Sequence, residues 1–493
     1  MKRSHRPFSR LPRSLPLVVA LPALALLSGC VLPVKRATPE APAYPAWRAP
    51  AADTSAVSLA ELPWAELYRD PVLTALVDEA LVNNSDLRIA ASRVELARAQ
   101  YRVQRADRLP SVNAAGSFTR DSRPSPTVPG DNVITNTWSA GLAVPAWEVD
   151  LWGRVKALSG AARERYLAAE DTRRAARLSL IAEVAGAYLN LVALDTQARI
   201  ATVTLGLREQ SATIIGQRHE AGVASGLDVS QAAQLVAVAR RTLSELERQR
   251  DRQENALAIL LGRAPGPIVR DPVVFDRALP PLLPAGLPAD LVARRPDLRA
   301  AEAGLHAADL DVAAARRTFL PSVSISGFAG FVSPAFEDLL DDDSAAWNVQ
   351  PAVALPLFQA GRLRANLAAQ KARRQIAAET YLLAVRGALA EVENTLIDHR
   401  EYLEQLAAQE QALAAARTRH ELTTKRYEEG VSPYFELLDA SRELFNAELE
   451  LVQLRRAAYA TIVQLYRALG GGAESEPEAG QASAAAGDDA KRG

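Results

Sequence analysis

The chain repeats itself, and this duplication limits what it can fold into more than any single motif does. Asp86-Leu87-Arg88 recurs as Asp297-Leu298-Arg299, and Leu109-Pro110-Ser111-Val112 recurs as Leu320-Pro321-Ser322-Val323, both at an offset of 211. Pro145 matches Pro356 in the same register. Further on the offset is 208: Gly153-Arg154 matches Gly361-Arg362, and Arg218, Glu220, Gly222-Val223 and Ala232 match Arg426, Glu428, Gly430-Val431 and Ala440. A single three-residue difference between Pro145 and Gly153 reconciles the two offsets. Chance does not hold register from Asp86 to Ala232. Two copies of one supersecondary unit follow, each far longer than a solenoid repeat.

The copies span 61–270 and 271–470 and have the same order of patterns. A helix (87–108; 296–318 in the second copy) is stopped by Pro110 or Pro321, which lack an N–H and clash with the preceding turn. Two segments with period-2 alternation follow, over 111–120 and 134–145 in the first copy and 322–332 and 347–357 in the second. Ile134, Trp138, Ala140, Leu142 and Val144 share one face, as do Trp347, Val349, Val353 and Leu355; Ser, Thr, Asn and Gln take the other. Such alternation marks strands with one apolar and one polar face. Each copy then has a long helical hairpin, 154–261 and 362–469. Its outgoing arm exceeds 60 residues without Pro, about 100 Å at 1.5 Å per residue. The turns hold Gly222 and Gly430, and the returning arms carry heptad seams, such as Val229, Ala232, Val236, Ala239, Leu243 and Leu246.

The N-terminus reads as an export signal. Lys2, Arg3, Arg6, Arg10 and Arg13 precede an apolar run over 15–27, followed by Ser28-Gly29-Cys30. The run is too short to span a bilayer, which takes about 20 residues, and fits a signal peptide over 1–29. Cys30 is the only cysteine, which excludes an intrachain disulfide. Leu27-Ser28-Gly29-Cys30 resembles a bacterial lipobox, in which the cysteine is acylated, and Val31 in the next position fits delivery to the outer membrane. Residues 30–60 are Pro- and Ala-rich and read as an extended tether, and 471–493 as a disordered tail. Charge nearly cancels, 57 Lys+Arg against 58 Asp+Glu, so nucleic acid is not an expected partner.

Four strands of about ten residues have the length to cross a bilayer when tilted. Four strands cannot close a barrel, however, and open edges are not tolerated in lipid. Closure must come from other copies. Two chains give eight strands, a barrel filled by its own side chains; a conducting pore argues for three chains and twelve strands. The long helices carry Arg, Glu and Gln throughout and belong in water. The expected fold is a mixed α/β membrane protein: a four-stranded share of a trimeric 12-stranded transmembrane β-barrel, plus a long periplasmic helical α-barrel.

With the duplicated Leu-Pro-Ser-Val strand entry, the lipobox and the 426–440 turn segment RYEEGVSPYFELLDA, the chain resembles the outer membrane efflux factor family, the TolC/OprM-like channels, in its lipoprotein (NodT-type) branch. The resemblance covers about 58–470. It implies a homotrimeric passive duct in the outer membrane, with a periplasmic adaptor (membrane fusion) protein and an inner-membrane pump of the RND, ABC or MFS type as partners. It places Gly222, Val223, Gly430, Val431 and Ser432 at hairpin tips that contact the adaptor. It also makes Glu436 and Asp439 inward-facing acids of the periplasmic gate, and Asp228 with Tyr427 a hydrogen-bonded latch worth about 1 kcal/mol. Ser432 departs from the family pattern, which has a basic latch residue there. For Trp138, Trp147, Trp152 and Trp347, in or beside the strands, interfacial anchoring and burial in subunit contacts both fit.

An enzyme is not expected. His5, His219, His306, His399 and His420 have no metal-ligand spacing, and no nucleophile motif or phosphate-binding loop occurs; neither cofactor nor metal is called for. A periplasmic coiled-coil scaffold or adaptor lipoprotein is the alternative, but it has no use for four membrane-length strands.

Overall fold

The structure, a computed structural model, describes residues 38–39, 44, 46–48, 58–64, 70–124, 132–271, 275, 279, 283–286, 288 and 290–471. The signal segment 1–29, Cys30 and tail residues 472–493 lie outside the described residues. The elements are α1 (Pro71–Asn83), α2 (Ser85–Ala106), β1 (Asn113–Pro124), β2 (Asn132–Val149), α3 (Arg154–Glu220), α4 (Gly226–Leu260), α5 (Asp290–Arg294), α6 (Pro296–Arg317), β3 (Ser322–Ser333), β4 (Ala345–Ala354), α7 (Arg362–Glu428) and α8 (Tyr434–Ala468). From α2 to α4 and from α6 to α8 the order is the same. α3 and α7 have 67 residues each, α4 and α8 have 35 each.

The chain divides into two compact units. The first holds Leu96–Leu167 and Ala303–Glu379. Its strands form one antiparallel sheet in the order β1-β2-β3-β4. Beside the sheet, helix segments pack through small residues: Ala157, Ala161, Ala307, Ala314 and Ala315 are buried, which lets helix axes approach closely. Charged pairs lie across the packing, Arg165 with Asp311, and Arg374 with Asp309 at 2.8 Å. At the sheet exit, both carboxylate oxygens of Asp150 accept the first-turn N–H groups of α3, from Val155 at 3.0 Å and Lys156 at 2.7 Å, satisfying donors that a helix start otherwise leaves open.

The second unit holds Glu40–Glu95, Ala168–Glu302 and Thr380–Gly493. Its core gathers Leu73, Val77, Ile181, Tyr188, Leu191, Leu257, Leu261, Leu465 and Tyr466. α3 has an 18-residue window apolar enough to cross a membrane by composition, most of it buried; that apolarity serves this core. Asp70 caps α1, accepting from Val72 N–H at 2.8 Å and Leu73 N–H at 3.1 Å, and takes the Tyr188 hydroxyl proton bond at 3.1 Å. The Tyr188 oxygen in turn accepts Asp271 N–H at 2.9 Å.

Within 30–60, expected to be an extended tether, several of the described residues are held by the second unit. Tyr44 donates to Glu393 at 2.8 Å, Trp47 Nε1–H donates to the Gly286 carbonyl at 2.9 Å, and Leu59 is part of the core. Tyr44 and Trp47, two aromatic side chains each with a polar handle, are thus held by hydrogen bonds within the second unit.

Candidate functional site

Cross-strand register sorts the sheet into two faces. Phe118 lies opposite Trp138, Leu142 opposite Ala329, and Ala329 opposite Trp347; the neighbouring positions add Val349, Val353, Ile325 and Val323. This face is apolar throughout its central stretch. On the other face Ser117 opposes Ser139, with their hydroxyls 2.8 Å apart, and Thr137, Ser324, Ser326, Asn348 and Gln350 accompany them. A bulge between Val144 and Trp147 adds one residue to β2. Bulges of this kind bend a strand and shift its register, and here the shift returns Trp147 and Val149 to the apolar face. Pro145 therefore does not end the strand: β2 runs four residues beyond the predicted 145.

The apolar face is bare. Trp347 is 79% exposed, Val349 61% and Val353 71%. Among the described residues both edges, β1 and β4, end the sheet without a partner strand. An apolar surface of this extent with open edges is an aggregation hazard in water, whereas in lipid the same face is solvated and only the edges need closure. Phe118 and Phe336 pack on Trp138 with ring centroids 4.3 and 5.0 Å away. Trp152 donates to the Pro321 carbonyl at 2.6 Å. At mid-sheet Gly141 faces Gly330 so closely that a Cβ on Gly330 would lie 2.3 Å from the Ala140 carbonyl oxygen.

The two hairpin tips share one turn geometry. Gly222 and Gly430 have φ of +74° and +75°, which glycine adopts without a Cβ penalty. Each closes its helix with paired bonds, Gly222 N–H to the His219 carbonyl and Val223 N–H to the Arg218 carbonyl, both 2.8 Å, matched by Gly430 to Tyr427 at 3.1 Å and Val431 to Arg426 at 2.8 Å. Val223 and Val431 are exposed at 67% and 63%. Ser432 is buried, its hydroxyl without a hydrogen-bond partner.

The residues expected to latch the tips have other partners. Asp228 completes a capping box with Ser225, accepting its backbone N–H at 3.0 Å and its hydroxyl at 2.7 Å. Tyr427 packs on Tyr434 at 5.3 Å, with the Arg218 guanidinium 5.1 Å from its ring centre. The two acids also have neighbours. Asp439 is held by Arg419 at 2.6 Å and Arg442 at 2.5 Å, and Glu436 lies 4.0 Å from Arg426. The Arg419 guanidinium holds the Asp439 carboxyl below the usual carboxylate range.

Within the second unit, α3, α4, α7 and α8 surround a cavity of about 760 Å³ lined by Val203, Leu207, Ile214, Tyr427 and Phe445 among others. Arg208 lies against it, buried, its guanidinium 5.0 Å from the Phe445 ring centre. Nη1 donates to the Leu235 carbonyl at 3.2 Å, while Nε and Nη2 have no partner. Burial lowers its pKa. In sequence Arg208 is one charge among many on a long helix; only packing singles it out.

The sequence profile of the outer membrane efflux protein family matches residues 76–263 and 287–471, one segment on each repeat. This chain belongs to the outer membrane efflux protein family. A probable efflux pump outer membrane protein of Pseudomonas putida, TtgC, is 38% identical over 452 residues, covering 91% of this chain and 93% of that one. Outer membrane protein OprJ of Pseudomonas aeruginosa is 38% identical over 462 residues, covering 92% and 95%. The open-state structure of the Neisseria gonorrhoeae outer membrane channel MtrE superposes with a TM-score of 0.80 at 30% identity, over 91% of this chain and 99% of that one. The efflux protein described here is thus an outer-membrane channel component, with a mixed fold of long helices and a four-stranded membrane sheet.

Proposed function

We propose that three copies of this efflux protein close a twelve-stranded barrel, and that the trimer is the passive exit duct of a tripartite pump carrying small organic molecules or metals out of the periplasm. The observation that carries this reading is the sheet with one apolar face, one polar face and two unpaired edges. Three copies turn the polar Ser, Thr, Asn and Gln face toward a water-filled lumen and leave no free edge. Relatives named as efflux pump outer membrane proteins support a periplasmic adaptor and an inner-membrane pump as partners. A scaffold lipoprotein would leave the apolar sheet without purpose. Purified protein added to a planar bilayer should give discrete conductance steps and migrate as a heat-modifiable trimer. A non-conducting monomer would overturn the proposal.

In this reading the exposed tips at Gly222-Val223 and Gly430-Val431-Ser432 meet the adaptor, and Glu436 and Asp439 border the periplasmic gate. Both acids are balanced by arginines, so the gate is a charge-paired collar more than a bare acidic ring. Removing the acids takes the carboxylate partners from Arg426 and Arg442 and leaves Arg419 with Glu443 alone. Glu436→Ala with Asp439→Ala is therefore expected to move selectivity from cations toward anions, read as a shifted reversal potential across a salt gradient. An unchanged reversal potential removes these residues from the pore.

Acylation of Cys30 would hold each copy at the membrane, more than one acyl chain being needed for a stable anchor. Cys30→Ser should abolish palmitate labelling; persistence of the label would place acylation elsewhere.

A further inference from the structure

Every junction between a membrane strand and a helix carries two cations. Arg105 and Arg108 precede β1, Arg154 and Lys156 follow β2, Arg316 and Arg317 precede β3, and Arg362 and Arg364 follow β4. Because the four strands are antiparallel in chain order, all four junctions lie at one end of the sheet and the two connecting loops at the other. The loop end has the opposite sign: residues 334–344 contain Glu337, Asp338, Asp341, Asp342 and Asp343 and no Lys or Arg.

Three of the eight cations are engaged within the fold, Arg362 through a hydrogen bond that its guanidinium donates to the Gln359 side chain at 2.6 Å. Arg154 pairs with Glu148, and buried Arg317 donates to the Gly153 carbonyl at 2.7 Å. Arg105, Arg108, Lys156, Arg316, Arg362 and Arg364 are exposed and, among the described residues, in no ion pair. The nearby carboxylates, Asp107, which also accepts from Gln104 at 2.7 Å, and Asp150, which caps α3, are fewer than the cations and leave this end net positive. Trp147 and Trp152 lie at the same end, where indoles mark the level of headgroups.

We propose that these six cations form a collar that binds the phosphates of acidic phospholipids in the leaflet at the helix end of the barrel. The proposal rests on the membrane placement given above. The cations do not converge on a pocket, as they would for a soluble anion. They spread along all four junctions at the same end of the sheet, which suits a layer of headgroups. The opposite leaflet is disfavoured for an anionic lipid by the five carboxylates of the 334–344 loop.

The test uses the full-length channel, incorporated into vesicles of phosphatidylethanolamine and phosphatidylglycerol and re-extracted with its annular lipid. Each cation near an anionic surface contributes about fivefold in affinity. Phosphatidylglycerol should be enriched about fivefold over its bulk fraction, and the enrichment should fall to near unity in the variant Arg105→Gln, Arg108→Gln, Lys156→Gln, Arg316→Gln, Arg362→Gln, Arg364→Gln. Should that variant not assemble, extraction of the unaltered channel in about 1 M salt, where charges are screened beyond about 3 Å, must abolish the enrichment. Enrichment unaffected by both substitution and salt, or absent from the start, overturns the collar while conductance upholds the channel. Loss of anion permeation in the variant with unchanged enrichment places the cations in the lumen and also overturns it. Absence of conductance from the unaltered protein would count against the channel reading itself.

Discussion

Gly330→Val is expected to abolish the assembled channel. A Cβ at position 330 would lie 2.3 Å from the Ala140 carbonyl oxygen and 2.5 Å from the Gly141 Cα, both backbone atoms. No rotamer relieves such a contact; β2 and β3 must part. That pairing joins the hairpin of the first repeat to the hairpin of the second, so parting it splits the membrane sheet in two. Overpacking alone costs about 1–3 kcal/mol, and each ladder bond left unmade in lipid adds several more. The heat-modifiable band and the conductance should both disappear. Gly116→Ala provides the contrast. Its Cβ meets only the Ser139 carbonyl oxygen, at an ordinary 3.6 Å, and that variant should assemble and conduct normally.

The duplication was the most legible part of the sequence, because register survives divergence when two copies must play equivalent roles. It anticipated paired strands and two hairpins of equal length. Strand ends were less legible. Pro145 reads as a stop because it cannot donate to a ladder, yet the bulge beside it absorbs the missing donor and β2 continues to Val149. β4 ends at Ala354 although alternation continues through Leu355 and Leu357, since alternation reports a face and not a partner strand. The anchoring of Tyr44 and Trp47 was hidden by surrounding prolines, though two hydrogen-bonding aromatics in a Pro-rich stretch are a usable signal.

At the tips, sequence gave identities without partners. Glu436 and Asp439 each have an arginine partner across the turn, Arg426 and Arg419, and Asp439 has a second, Arg442, three residues on in α8. Arg419 with Glu443, and Arg426 with Glu436, are equally distant from Val431, as an antiparallel hairpin requires. Counting outward from Val431 finds the Arg426–Glu436 and Arg419–Glu443 pairs but not the partner of Asp439. Arg208 could not be found this way. Its burial arises from the packing of α3 against Phe445 of α8, which no local spacing encodes.

Arg295→Met is expected to cost about 3–5 kcal/mol, the usual penalty for breaking a buried ionic cluster from one side. Arg295 is 9% exposed. Its Nε and Nη2 grip Asp297 at 3.0 and 2.8 Å, and Nη1 donates to Glu391 at 2.8 Å and to the Ala468 carbonyl at 2.6 Å. One side chain thus ties the start of α6, the middle of α7 and the last residue of α8. Ala468 is among the carbonyls that a helix end leaves without an internal partner, and no methionine atom can satisfy it. Arg295→Lys should recover part of the loss, since an ammonium keeps the charge but not the planar fork. Thermal unfolding of the detergent-solubilised protein ranks the three proteins, and equal midpoints would refute the role. Acid adds a second readout. Burial pushes the Asp297 carboxyl up, but the Arg295 guanidinium outweighs it, and the net pKa lies below the ordinary value. A depressed carboxylate stabilises the fold above the ordinary range, about 4, and that contribution is lost as pH falls through the lowered folded-state value. Without Arg295 burial is opposed only by the backbone N–H groups of Leu298 and of Asp297 itself, so the depression shrinks and the acid-linked loss should be smaller in the methionine variant than in the parent.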